Sequence, residues 1–185
     1  MKPLLRWTRW ILIAAAVALL AYFGFVLTDS WAFQRAEERQ MESPVIAPAT
    51  LSPAATGGLI GRVDVPRLGI SAIVMEGTST KILRRAVGHI FGTALPGETG
   101  NVGISGHRDT FFRPLRNIEP SDIILLTTTA GEYRYRVLST SIVTPNDVAV
   151  LEPGAGETLT LVTCYPFYFV GPAPNRFIVR AERVI

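Results

Sequence analysis

The stretch TLTLVTCYPF, residues 158–167, alternates polar and apolar side chains before Pro166 ends the run. A period of two belongs to a strand with one buried face, because successive strand side chains leave on opposite sides. The same texture surrounds it. LIGRVDV (59–65), ISAIVME (70–76), NVGIS (101–105), DIILLTTT (122–129), EYRYRVLSTSIV (132–143) and RFIVRAERVI (176–185) are short runs punctuated by Gly, Pro, Asn and Asp. Tyr133, Tyr135 and Val137 fall on one face, with Arg134 and Arg136 on the other, so those arginines read as a solvated surface. Only STKILRRAVG (79–88) reads as helical, with Ser79 or Thr80 as its cap and Gly88 as its stop. Seven or eight short strands and one or two helical turns point to a mostly β domain, a closed barrel or a sandwich.

The other end of the chain has a different character. Trp10 to Leu27, WILIAAAVALLAYFGFVL, is 18 residues without a charge. As a helix it would extend roughly 27 Å, close to the hydrocarbon thickness of a bilayer. Lys2, Arg6 and Arg9 precede it and Asp29 follows, which sets the N-terminus in the cytoplasm. A cleaved signal peptide is the rival reading. The apolar run is long for that role, and no clean small-residue cleavage site follows. The expectation is a single-pass anchor in the cell membrane with the rest of the chain outside the cytoplasm. Three segments result: a basic end and transmembrane anchor over 1–28, a juxtamembrane segment and Pro-rich linker over 29–58, and a globular domain over 59–185. DSWAFQRAEERQM (29–41) is polar and helix-compatible, whereas Pro44, Pro48, Pro53 and Gly57-Gly58 mark an extended spacer.

Net charge is +3 for the 185 residues, and Lys2, Arg6 and Arg9 account for it locally. From Leu59 onward there are 13 Lys/Arg against 11 Asp/Glu, with no basic stripe interleaved with aromatics, so no nucleic-acid partner is expected.

Cys164 is the only cysteine. An extracytoplasmic chain usually pairs its cysteines, and nothing within this one can pair. A buried structural thiol, an intermolecular disulfide and a nucleophile all remain open. Its place at the end of a strand, where side chains meet a loop-lined cleft, favours reactivity. A thiol nucleophile needs a base, and there are two histidines. His89 follows the helical stretch and reads as a packing or capping residue. His107, in NVGISGHRDTFF, lies just past a strand, and it can meet Cys164 if the two strands run parallel side by side. Arg176 stands 12 residues beyond Cys164 and returns to the same end of the sheet if its strand is antiparallel. A guanidinium there presents fixed donors to an oxyanion. Arg108 is a competitor, expected to turn outward. LPGETG (95–100) is expected to be a turn inside the fold.

TLVTC (160–164), LPGETGNVGISGHRDTFFRPL (95–115) and APNRFIVRA (173–181) together closely resemble the sortases, membrane-anchored cysteine transpeptidases of bacterial envelopes. The resemblance covers about residues 59–185, and GHRDTFFRPL with TCYPFYFVGPAPNRFIVRA looks most like class D. It implies a closed eight-stranded sortase-type β-barrel with parallel strands leading to His107 and Cys164. It implies Cys164 as nucleophile, His107 as acid/base and Arg176 as the oxyanion-stabilising cation, with no cofactor or metal. The partners implied are secreted proteins bearing a C-terminal LPxTG/A-like sorting signal, and an amine acceptor in the cell envelope. A cysteine peptidase hydrolysing the same thioacyl intermediate, and a noncatalytic envelope-binding barrel, are the alternatives.

Overall fold

The computed structural model describes residues 2–42, 56–154, 156–169 and 171–184. Helix α1 spans Lys2–Glu42, so the apolar run and the polar segment after it form one continuous helix. The described apolar side chains of its first 25 residues, among them Trp10, Leu12, Leu20, Phe23 and Phe25, are exposed. Among the described residues no helix is long and apolar enough to cross a membrane. The side chains of Val26 and Leu27, which close the 18-residue run, lie outside them, as does most of the expected linker.

Eight strands follow: β1 (Leu59–Val65), β2 (Ile70–Glu76), β3 (Val87–His89), β4 (Gly100–Ser105), β5 (Ile123–Thr128), β6 (Gly131–Val143), β7 (Glu157–Tyr165) and β8 (Asn175–Val184). They close into a barrel in the order β1-β2-β3-β4-β7-β8-β6-β5. The alternation in sequence becomes an inside and an outside. Val63, Val65, Val74, Val102, Ile104, Ile124, Leu126, Tyr135, Val137, Leu159, Leu161 and Val179 fill the interior. Arg134 and Arg136 are exposed on the other face of β6, as expected, and Arg136 pairs with Glu182 at 2.6 Å.

Closing a small barrel brings backbones together, and two glycines permit it. A Cβ on Gly61 would lie 2.2 Å from the Thr127 carbonyl oxygen, and one on Gly88 2.2 Å from that of Gly77. Gly88 corrects the sequence reading. Helix α2 is a single turn, Thr80–Leu83, capped by Ser79, whose Oγ accepts from the Ile82 N–H at 3.4 Å. The chain then enters β3, which pairs parallel with β2, so Gly88 is a strand residue and not a helix stop. Three residues are too few to show a period. LPGETG is a turn: Leu95 N–H donates to Glu98 Oε2 at 2.9 Å, and Gly97 has φ of 89°.

Two contacts tie peripheral segments to the barrel. Phe33 of α1 packs on Ile73, Met75 and Ala86, while Gln34 accepts from the Ile73 N–H at 2.8 Å and donates to the Arg85 carbonyl at 2.5 Å. Gln34 thereby satisfies a strand-edge donor, which burial would otherwise penalise. Arg67, in the 3-10 turn Pro66–Leu68, grips Asp122 through Nε and Nη2 just before β5. The guanidinium holds the Asp122 carboxyl below the usual carboxylate range, against an opposing effect of burial.

Candidate active site

Strands β4 and β7 run parallel, with Gly100 opposite Glu157 and Ser105 opposite Val162. Carrying that register two residues further sets His107 beside Cys164. The junction is held by Gly106 N–H donating to the Val162 carbonyl at 3.1 Å and Thr163 Oγ1 donating to the Gly106 carbonyl at 2.7 Å. Antiparallel β8 flanks β7 on the other side, and Cys164 is directly opposite Arg176. Cross-strand partners of this kind share a face, with Cβ atoms roughly 5 Å apart. Leu161 and Thr163 are buried, whereas Cys164, His107 and Arg176 are all half-buried at one end of the barrel. Cys164 and Arg176 are thus cross-strand partners, and His107 follows the end of β4 at the same end of the barrel.

Local sequence explains how each is held. After β4 the chain turns sharply, with the N–H groups of Thr110 and Phe112 pointing at the His107 carbonyl at 3.4 and 3.2 Å. Phe112 is fully buried, and its ring fills the space a side chain at position 106 would need, with ring atoms from 2.7 Å. Glycine before the histidine is thus a packing requirement. Past Cys164, Tyr165, Phe167 and Phe177 pack on one another with centroid separations of 5.2–6.4 Å, Tyr165 stacked on Phe177 and Phe167 edge-on to both. This aromatic cluster anchors both ends of the loop joining β7 to β8. Arg176 Nη1 donates to the carbonyls of Ala173 and Asn175 at 3.3 and 3.0 Å, which fixes the guanidinium while leaving Nε and Nη2 for a ligand.

Arg108 differs from expectation. Its side chain is buried, not turned outward, and donates to the carbonyls of Pro166, Phe169 and Gly171 at 2.9, 2.7 and 3.0 Å. It staples the turn that carries His107 to the loop that follows Cys164. Adjacency to His107 in the chain suggested a solvent-facing side chain, because neighbouring residues point opposite ways. What lay opposite was a second loop rather than water, and no local pattern signals that.

His89 belongs to another neighbourhood. It is buried with Glu76, its Nδ1 2.9 Å from Glu76 Oε2 and its Nε2 2.9 Å from the Ala94 carbonyl. Nε2 also lies 3.0 Å from the Thr93 hydroxyl, so both ring nitrogens have hydrogen-bond partners. Its work is to hold the connection between β3 and β4. Beside His107, on the side of β2 and α2, lies a cavity of about 570 Å³, which Cys164 does not line.

A closed barrel of this strand order, with a thiol, an imidazole and a guanidinium side by side at one end, has the frame of a β-barrel thiol transpeptidase. The Sortase domain family model matches residues 63–184, and the chain belongs to the sortase family of cysteine transpeptidases. Sortase D of Bacillus subtilis (strain 168) is 32% identical over 192 residues, covering 94% of this chain and 96% of that protein. Among solved structures, a Sortase D5 transpeptidase of Clostridium perfringens superposes with a TM-score of 0.65 at 26% identity, covering 82% of this chain and 88% of that one. Sortase C from Clostridium perfringens SM101 gives a TM-score of 0.66 at 25% identity, covering 86% and 90%.

Proposed function

We propose that this protein is a membrane-anchored transpeptidase that cleaves an LPxTG/A-like sorting signal through a thioacyl intermediate and passes the acyl group to an envelope amine. The observation that carries this is the register: Cys164 opposite Arg176 on one side and beside His107 on the other. The Cys164 thiolate attacks the carbonyl carbon of the threonine-like residue. The carbon–sulfur bond forms, negative charge moves onto the carbonyl oxygen, and Arg176 donates to that oxyanion. The scissile carbon–nitrogen bond then breaks, and His107 gives its proton to the departing amine. In the second half an acceptor amine attacks the thioester and surrenders a proton to His107. A new amide forms and the thiolate is released.

The exposed apolar side chains of α1 and the arginine before them support an anchor with the N-terminus in the cytoplasm and the barrel outside. A protein so tethered meets substrates tethered in the same plane, which raises their effective concentration and favours joining over hydrolysis.

The test feeds the full-length protein, in detergent micelles, a labelled LPxTG/A-type peptide with increasing amine, and separates acid from ligated product by mass. Ligated product should rise at the expense of acid, and Cys164→Ala should form neither. Acid that stays constant across a wide panel of amines would mean a peptidase. N-terminal sequencing of membrane-extracted protein should find Met1 or Lys2, and a start beyond Leu27 would remove the anchor.

A further inference from the structure

The transpeptidase reading leaves one question that the geometry addresses, namely where the second substrate binds. Two substrates must reach the same thioester carbon, and each uses His107. The strand register sets Cys164 beside His107, with Arg176 beyond it on β8. His107 also forms part of the wall of the 570 Å³ cavity, together with Ile70 and Ser71 of β2, Phe111, Pro114 and the exposed Asp109. Neither Cys164 nor Arg176 lines it. The volume falls within the range of small-ligand sites, and the wall has the mostly apolar character with few polar groups that such sites share.

We infer that this cavity is the acceptor site, holding a peptide-borne primary amine with its nitrogen turned toward His107 and its ammonium form drawn in by Asp109. The Asp109 side chain is 73% exposed, and its neighbour Arg108 sits 3.6 Å away but is committed to three loop carbonyls. Arg84 also lines the cavity, so the wall is of mixed sign, and preference for an amine comes from the carboxylate two residues from the imidazole. On reaction the amine loses its proton to His107 and its nitrogen bonds the thioester carbon. The carbon–sulfur bond breaks, returning the thiolate. Donor and acceptor thus share one histidine from separate subsites, and it acts as acid toward the first and base toward the second.

This inference rests on the proposed reaction, and the experiment separates the two. Full-length protein in micelles receives the labelled donor peptide and either triglycine or hydroxylamine as acceptor. Hydroxylamine is too small to need a groove. Ser71 is exposed on β2, so Ser71→Phe narrows the cavity at a position where a strand accepts an aromatic. Asp109→Asn removes the charge and keeps the shape. Half-saturating triglycine should rise about tenfold in Ser71→Phe and about threefold in Asp109→Asn, on the scale of one lost contact. Half-saturating hydroxylamine should stay within about twofold, as a contact it never makes costs it nothing. Equal shifts for both acceptors, or no shift for triglycine in either variant, would overturn the site while leaving the reaction standing. A wild-type protein that forms no thioacyl product would overturn the reaction itself and the site with it.

Discussion

Replacing Arg108 with alanine separates the positioning of the site from its chemistry. Three hydrogen bonds from one buried guanidinium reach carbonyls on the loop after Cys164. Hydrogen bonds from a charged donor contribute about 1.5–3 kcal/mol each, a gross figure near 6 kcal/mol for three. Phe169 and Gly171 are exposed, so their carbonyls can turn to water once the arginine is gone. The Pro166 carbonyl is half-buried and recovers less. Halving the gross figure leaves about 3 kcal/mol for docking the loop, and each 1.4 kcal/mol is a factor of ten in an equilibrium. The whole side chain is removed, so no buried cation is stranded, and the barrel interior is untouched.

The expected outcome is a fall in kcat/KM for the donor peptide of between tenfold and a hundredfold, because a misplaced loop costs orientation at the thiol. Alkylation of Cys164 by iodoacetamide, which needs no ordered loop, should change less than about threefold, since the thiol itself is not the group being moved. Arg108→Lys should recover part of the loss, because an ammonium reaches some of the three carbonyls without the planar fork. Peptide turnover within threefold of wild type in Arg108→Ala, at an unchanged Tm, would refute the reasoning. Equal losses in turnover, alkylation and Tm would instead make Arg108 a plain folding residue.

His107→Ala should lower peptide turnover by about 10²-fold or more with little effect on Tm, the usual scale for a proton-transfer group. His89→Ala should do the reverse, costing about 3 kcal/mol or more in denaturant titration by stranding the buried Glu76, with turnover retained while the protein is folded. Arg176→Lys should be poor in steady-state turnover, because an ammonium cannot reproduce the planar fork; near-wild-type rates would reduce Arg176 to a surface charge. Asp122→Asn reports the acid limb. A carboxyl held low in the fold contributes stability above its unfolded value, lost as pH falls through the lower folded value, so the gap to wild type in urea melts should close below about pH 4.

How much of this was legible in the sequence depends on the range of the interactions concerned. Strands β1 and β2 were readable to the residue because breakers bound both runs, Pro66 and Gly69 between them and Gly77 after, although β2 is buried on both faces. Strand β3 was not, since three residues hold no period and its partner β2 supplies the reason it is extended. Cys164, His107 and Arg176 were legible because each stands at a strand end beside a breaker, and strand pairing turns such positions into neighbours. Arg108 and the cavity beside His107 were invisible for the same reason as each other. Both are made by segments far apart in the chain, positions 108 and 166–171 in one case and 70–71 with 107–114 in the other.

The docking of α1 carries the same reasoning to a last prediction. Sequence alone makes residues 42–58 a spacer without a core, so removal of residues 1–58 should leave a folded domain. The structure puts Phe33 on Ile73, Met75 and Ala86, and Gln34 on two backbone groups of the barrel. Glycines 57 and 58 add two backbone hydrogen bonds to Glu76, each 2.8 Å. Removing all of this uncovers an apolar patch and leaves the Ile73 N–H to water. Uncovering a buried aromatic costs about 1.5–3 kcal/mol. The barrel interior is complete without α1, so the truncated domain should fold, with a lower urea midpoint than a chain that begins at residue 29. Phe33→Ala in the longer chain should reproduce most of the difference. Equal midpoints for the two truncations would show that α1 only tethers the barrel. A lower midpoint for the shorter one would show that α1 also stabilises the barrel, through Phe33 and Gln34.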